Sequence, residues 1–296
     1  MKPDLIICSD LHLREDDPEC WLTSYWDVQE QNLKILRDLE KEHQCPVIIA
    51  GDIFDHWKSS HFLVSYAFDH LPKDCYVVAG QHDLKYNNFD QLYQGALGIL
   101  VKAGRVKLLH PGPENVISPY GILGYSWEVP YDNEQAPIYV FHKMTWMEQP
   151  YPGANKGQAE TFINKFDHPC LIITGDNHQH FILRKEGKII LNPGKFMIQR
   201  SSEMEEPPFA FLWSKEDHLK IEKVKLNSGQ TAAASKLMVQ NRDERIASYV
   251  DVLKDVSKRK DKTLLFSDIL DELIQESEVP PTIVKLIRRA QEGTQK

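Results

Sequence analysis

The chain has 296 residues, 42% of them hydrophobic and 26% charged, with a net charge of −8, enough for one large core and a smaller appendage. No uninterrupted apolar stretch approaches the roughly 18–20 residues that cross a bilayer. Met1 leads directly into a strand pattern with no signal-like segment, so a cytoplasmic protein without membrane association is expected. The acidic balance argues against a stand-alone DNA-binding protein, because affinity for a polyanion needs clustered Lys and Arg.

The first apolar run, Leu5-Ile6-Ile7-Cys8, reads as a buried strand and is followed by Asp10 and a loop from Leu13 to Ser24. A helix is predicted over roughly Val28 to Glu42, with Leu33, Ile35, Leu36 and Leu39 on one side. The second strand, Val47-Ile48-Ile49-Ala50, ends at Asp52, and a helix around Phe62 to His70 leads to the third, Tyr76-Val77-Val78-Ala79, before Gly80. A helix from about Phe89 to Ala103 then precedes a strand over Val106 to Leu109. This βαβ alternation predicts parallel strands with right-handed crossovers.

Beyond about residue 115 the texture changes to strands with short connections. Gly121 to Tyr125, Ile138 to Phe141 and Leu171 to Thr174 read as strands, and Leu183 to Leu191 as a hairpin turning at Glu186-Gly187. Phe209 to Trp213 and Leu219 to Val224 complete a set that reads as antiparallel. The fold class expected is α/β (α+β four-layer), a two-sheet β-sandwich flanked by helices, occupying 1–226. Residues 227–296 carry helical patterns and near-balanced charge after the linker Asn227-Ser228-Gly229-Gln230, and read as a helical extension that caps the domain or docks a partner. Within it, the cluster from Lys258 to Lys262 reads as a solvated turn. The five cysteines, Cys8, Cys20, Cys45, Cys75 and Cys170, lack metal-binding spacing and read as reduced thiols.

The chemistry lies at the strand ends. Asp10-Leu11-His12, Gly51-Asp52, Gly80-Gln81-His82-Asp83, His142 and His178-Gln179-His180 each stand at or just past an apolar run. Each motif alone is weak; the ordered set is not, because ligands bind at the carboxyl ends of the strands of an α/β sheet. Carboxylates and imidazoles brought to one edge can hold a metal pair, in which one anionic ligand must separate two cations. Asp52 is the candidate bridge. A ligand set without thiolates suits Mn²⁺, Fe²⁺, Zn²⁺ or Co²⁺ better than Ca²⁺. His82 is placed to stabilise the transition state or protonate the leaving oxygen, with Asp83 orienting it. Trp21, Tyr25 and Trp26 either stack on bases or pack their loop onto the sandwich. Tyr86 and Asn87, just after the His82 motif, are candidate substrate contacts.

This ordered set resembles the calcineurin-like metallophosphoesterase superfamily, whose pattern is D-x-H, GD, GNH-D/E, H and GHxH, over roughly residues 4 to 195. The resemblance implies that Asp10, His12, Asp52 and His180 hold one metal, that Asp52, Gln81, His142 and His178 hold the other, and that His82 is the catalytic histidine. Two departures stand out. Gln81 replaces the usual Asn and adds a methylene, and Asp176-Asn177 lie between Gly175 and His178. Gly51-Asp52-Ile53-Phe54-Asp55, Gly80-Gln81-His82-Asp83 and Asn192-Pro193-Gly194 are similar to segments of the SbcD-type DNA repair nuclease branch, its bacteriophage and bacterial members in particular. That branch implies two Mn²⁺ ions, 3′–5′ exonuclease and single-strand endonuclease activity on DNA, a homodimer, and an SbcC-like coiled-coil ABC ATPase partner. The alternatives are a nucleotide or small-molecule phosphodiesterase on the same fold, or a scaffold that has lost catalysis.

Overall fold

A computed structural model describes residues 2–111, 121–148, 157–216 and 220–229. Its compact units are Met1–Leu237 and Met238–Lys296. The helices expected beyond residue 230, and the cluster from Lys258 to Lys262, lie outside the described residues.

Two sheets carry the first unit. One has six strands in the order β11-β10-β1-β2-β3-β4, the other five in the order β5-β6-β7-β9-β8. In the first, β1 (Leu5–Cys8), β2 (Val47–Ile49), β3 (Cys75–Val77) and β4 (Lys107–Leu108) are parallel; β10 (Phe209–Trp213) pairs antiparallel with β1, and β11 (Ile221–Lys225) pairs antiparallel with β10 in turn. In the second, β5 (Ile122–Tyr125), β6 (Ile138–Phe141), β7 (Leu171–Thr174) and β9 (Lys188–Asn192) are parallel, and only β8 (Phe181–Lys185) runs against them. The antiparallel texture expected for the second half is therefore corrected. Crossovers return β5, β6, β7 and β9 to one direction, and β10 and β11 go back to the first sheet. The β8–β9 hairpin turns where expected, with Glu186 and Gly187 at φ 51° and 77°, the paired positive φ of a two-residue turn that matches strand twist.

Alternation along the strands sorts the core into layers. Leu5, Ile7, Ile48, Ala50 and Val78 face Ile122, Ile138, Val140, Ile173 and Leu191 between the sheets. The opposite faces, Ile6, Cys8, Val47 and Ile49, pack under helices α1 (Tyr25–His43), α2 (His61–His70) and α3 (Ala96–Lys102). Tyr139, Phe141 and Ile172 pack under α4 (Ala159–Ile163) through Phe162 and Phe166. The result is the helix–sheet–sheet–helix sandwich. Each strand is apolar on both sides because both sides are covered, and truncating a central residue such as Ile48 to Ala costs about 2–5 kcal/mol.

Local chemistry sets the ends. α1 starts at Tyr25, earlier than its apolar periodicity suggests, because the Ser24 hydroxyl accepts from the Asp27 amide at 3.1 Å. The helix expected from Phe89 is interrupted, with a 3₁₀ stretch over Phe89–Gln94 and α3 beginning only after Gly95. Trp21 and Tyr25 are buried, and Trp26 lies against Tyr66 at 4.3 Å between ring centres, so this trio packs its segment onto the domain.

Candidate metal centre

The carboxyl ends of β1, β2, β3, β6 and β7 deliver polar side chains to one edge. The backbone turns there are unusual. Asp10, His12, Asp52 and Asp176 all have positive φ, at 53°, 44°, 50° and 75°. Left-handed backbone on non-glycine residues is uncommon and gathers where a site over-determines it. Close packing fixes the intervening glycines. A Cβ on Gly51 (φ 97°) would sit 2.0 Å from His142 Nδ1, and one on Gly80 2.0 Å from Asp52 Oδ1.

Asp10 and Asp52 are 0% and 1% exposed. Asp10 accepts from the Ser9 hydroxyl at 2.5 Å and from the Asp176 amide at 3.2 Å. Asp52 Oδ1 accepts from the His82 amide at 2.9 Å, while its Oδ2 lies 3.4 Å from His142 Nε2 and 3.8 Å from His12 Nε2. His178 Nε2 is 3.9 Å from Asp10 Oδ1. Donor atoms of Asp10, His12 and His178 lie within 4.8 Å of one another, and so do those of Asp10, Asp52 and His142. The two groups share Asp10, and Asp52 stands between His12 and His142.

The histidines are oriented from behind, so that one nitrogen of each is turned inward. His142 Nδ1 donates to the Ala50 carbonyl at 2.6 Å, His82 Nδ1 to the Asp55 carbonyl at 2.7 Å, and His178 Nδ1 to Glu203 Oε1 at 2.7 Å. Glu203 is held in turn by the Gln199 amide at 2.8 Å. The Gln81 amide nitrogen donates to Asp176 Oδ1 at 2.7 Å, which points its oxygen at His142 Nε2, also 2.7 Å away. The extra methylene thus leaves the amide oxygen facing the cluster.

Charge balance tests whether this set fits a cation. Burial raises the Asp10 carboxyl above its ordinary value. Burial also works against the Asp52 anion, but the neighbouring His142 outweighs it and holds that carboxyl low. His142 donates through both nitrogens; burial opposes its charge, yet Asp52 pushes it up to about 10. Carboxylates and an amide oxygen thus converge on a point that favours positive charge. Both ring nitrogens of His12 are buried without a hydrogen-bond partner, an arrangement that costs free energy unless something else engages them. Buried carboxylates around an imidazole that makes no hydrogen bond, free of thiolate, fit a divalent cation of the Mn²⁺, Fe²⁺ or Zn²⁺ type.

The structure brings together Asp10, His12, Asp52, Gln81, His142 and His178, with His82 beside them. It does not bring in His180, whose Nδ1 lies 3.0 Å from Glu206 and whose Nε2 lies 2.7 Å from Lys223 Nζ. Of the expected final pair, His178 alone reaches the cluster. Gly175-Asp176-Asn177-His178 has the spacing of Gly-His-x-His with Asp at its second position, and Asp176 Oδ1 accepts from Gln81. Asp83 does not orient His82 either. Its carboxylate accepts from the Gly80, Ile53 and Phe54 amides at 3.1, 3.2 and 3.0 Å and ties two loops together. Burial, with Asp52 nearby, pushes this carboxyl up to about 7. Tyr86 and Asn87 are exposed on the rim, both with positive φ.

Sequence reasoning missed three residues besides Asp176. Asp55 lies 3.4 Å from both His12 Nδ1 and the Arg14 guanidinium, and the Gly-Asp-x-x-Asp spacing was a signal for it. Asn192 donates to the Asn177 and Gln179 carbonyls at 2.8 and 2.9 Å, holding the His178 loop, and the Asn-Pro-Gly motif marked it. Glu203 had no signal, since it arrives from a separate turn.

Parallel strands delivering carboxylates and imidazoles to the edge of a two-sheet sandwich define a metal-dependent phosphoesterase. The calcineurin-like phosphoesterase family model matches residues 4–180, and the chain belongs to that family. Among solved structures it is similar to an archaeal phosphodiesterase (12% identity, TM-score 0.41, covering 75% of this chain and 99% of that one). It is also similar to TT1561 of Thermus thermophilus (12%, 0.46, 77% and 100%) and to vacuolar protein sorting 29 from Cryptosporidium parvum (18%, 0.35, 76% and 97%). No curated protein sequence matches the chain. Among the described residues no helix is long and apolar enough to cross a membrane.

Proposed function

We propose that this phosphoesterase is a two-metal phosphodiesterase acting on DNA, a 3′–5′ exonuclease and single-strand endonuclease that works as a homodimer with an SbcC-like coiled-coil ABC ATPase. The observation that carries the hydrolase reading is the buried donor cluster, with the His12 ring set between the Asp52 and Asp55 carboxylates and His82 at its edge. The DNA reading rests on the Gly-Asp-Ile-Phe-Asp, Gly-Gln-His-Asp and Asn-Pro-Gly segments and their likeness to the SbcD-type branch.

In this reading Asp10, His12, Asp52 and His178 hold one divalent ion, and Asp52, Gln81, His142 and Asp176 the other, with Mn²⁺ the expected metal. Ions held by these residues would supply polarisation of the phosphoryl oxygens and a lowered pKa for water near neutral pH. His82 does the chain's own proton work. Its Nδ1–H is committed to the Asp55 carbonyl, so Nε2 is the nitrogen left to donate a proton to the leaving oxygen. The Asp83 carboxylate clamps the loops that carry Asp52 and His82 and so fixes their spacing.

The test is an assay of linear duplex and single-stranded DNA in Mn²⁺, with and without the ATPase partner, alongside bis-p-nitrophenyl phosphate and cyclic nucleotides. Release of nucleotides from DNA supports the reading. Turnover of the small diesters with every form of DNA left intact overturns it in favour of a nucleotide phosphodiesterase.

A further inference from the structure

The loops that carry His82 also carry an aromatic surface that the hydrolytic chemistry does not use. Tyr86 is 81% exposed, more than any other large hydrophobic side chain among the described residues, and its backbone sits at φ 57°, ψ 27°. An aromatic residue seldom adopts that conformation; here it is fixed by the turn in which the Asn87 and Asn88 amides donate to the Leu84 and Lys85 carbonyls at 3.1 and 3.2 Å. Trp57 stands opposite, its ring centre 6.5 Å from that of Tyr86. Lys85 Nζ lies over both rings, 5.6 Å from Trp57 and 5.2 Å from Tyr86, and is steadied by Gln94 Oε1 at 2.7 Å.

This surface is built, and it is next to the chemistry. Trp57 is two residues from Asp55, whose carbonyl orients His82, and its own carbonyl accepts from the Ala96 amide at 2.8 Å. Tyr86 follows Leu84, which is fully buried, and the Asp83 clamp ties the two loops together. Two aromatic faces with a cation between them suit a flat, electron-rich ring beside an anionic phosphate. A chain of net charge −8 gains little from diffuse attraction to a polyanion, so grip by stacking suits it better than grip by phosphate contacts.

We propose that Trp57, Lys85 and Tyr86 form a stacking platform beside His82 that takes an unpaired base of the single-stranded nucleic acid being cut. The inference rests on the nucleic-acid reading above. The platform gives a role to an exposed tyrosine on a left-handed turn, and it makes the enzyme select unpaired strands, since a base stacked in a duplex has no free face to offer.

The test is inhibition of bis-p-nitrophenyl phosphate turnover in Mn²⁺ by oligothymidylate and by an abasic strand of equal length. Wild-type protein is expected to take the thymidylate about ten-fold more tightly, and to keep that preference as salt rises from about 50 to 200 mM, where phosphate contacts weaken. Tyr86→Ala, on an open surface and so safe for folding, should bring the preference within about two-fold; Tyr86→Phe should keep it, and Trp57→Phe likewise. Retention of the preference in Tyr86→Ala, or its loss in Tyr86→Phe as well, overturns the platform while leaving the nucleic-acid reading standing. If neither strand inhibits wild-type protein that turns over the small diester, both fall.

Discussion

The two halves of the metal centre are built differently. The half contributed by the first sheet hangs on backbone. Asp10, His12, Asp52, Gln81 and His82 follow β1, β2 and β3 directly, and the turns are fixed by Gly51, Gly80 and the Asp83 clamp. In the half contributed by the second sheet, His142 leans on the Ala50 carbonyl, but the His178 loop hangs on side chains from distant segments. His178 is aimed by Glu203 and its loop is held by Asn192, a strand and a turn further along the chain. The first kind of construction is local and rigid; the second depends on tertiary packing. That difference decides where variants should act and where sequence reasoning should slip.

The largest effect should come from the first half. His82→Ala is expected to lower kcat on a phosphodiester about 10²–10⁴-fold, with divalent-ion binding measured by calorimetry held close to wild type. A parallel collapse of ion binding would mean that this histidine is a ligand and that the division of labour is wrong. Glu203→Gln probes the second half. It removes the carboxylate behind His178, and the cost should be about 10–100-fold in metal affinity or turnover. An unchanged affinity would show that the His178 loop positions itself without help.

A sharper contrast separates the two readings of the final motif. Asp176→Ala should weaken metal-dependent turnover by about ten-fold or more, while His180→Ala, whose ring is engaged with Glu206 and Lys223, should change it by no more than about three-fold. The reverse order would restore the His178–His180 pairing. The smallest effect is on stability. Divalent ion at about one hundred times its Kd should stabilise the folded chain by about 2.7 kcal/mol, read as a rise in Tm that a chelator removes. Absence of any shift in Mn²⁺, Fe²⁺, Zn²⁺ or Co²⁺ would count against the fit of the buried His12 ring to a cation.

Much of this was legible in the chain. Buried strands read as continuous apolar runs because both their faces are covered, so β1, β2, β3, β6 and β7 stood out, and the residues after them pointed to a shared edge. The direction of the second sheet was misread: 12 residues join β5 to β6 and 29 join β6 to β7, enough for crossovers, but they carry little of the helical pattern that signalled the crossovers of the first sheet. Asp83 was misread for a related reason. A carboxylate beside a histidine in sequence need not face it, and in the 3₁₀ turn of Gln81–Asp83 it faces back onto the Gly80 amide. His180 looked equivalent to His178 by type and spacing, yet only the packing of Phe209, Glu206 and Lys223 around it carries it away from the cluster.

What the sequence determined by itself was the inventory and its order: which hard donors follow which apolar runs, and hence the family and its metal-type chemistry. Those are properties of local pattern, since a strand's burial and the residue at its end are written within a few positions of each other. What the tertiary structure decided was the final geometry. It joined Asp176 to Gln81, set His180 aside, recruited Glu203 and Asn192, turned the Gln81 oxygen inward and gathered Trp57 and Tyr86 around one lysine. Each of these depends on which distant segments pack against one another, which spacing along a chain does not encode.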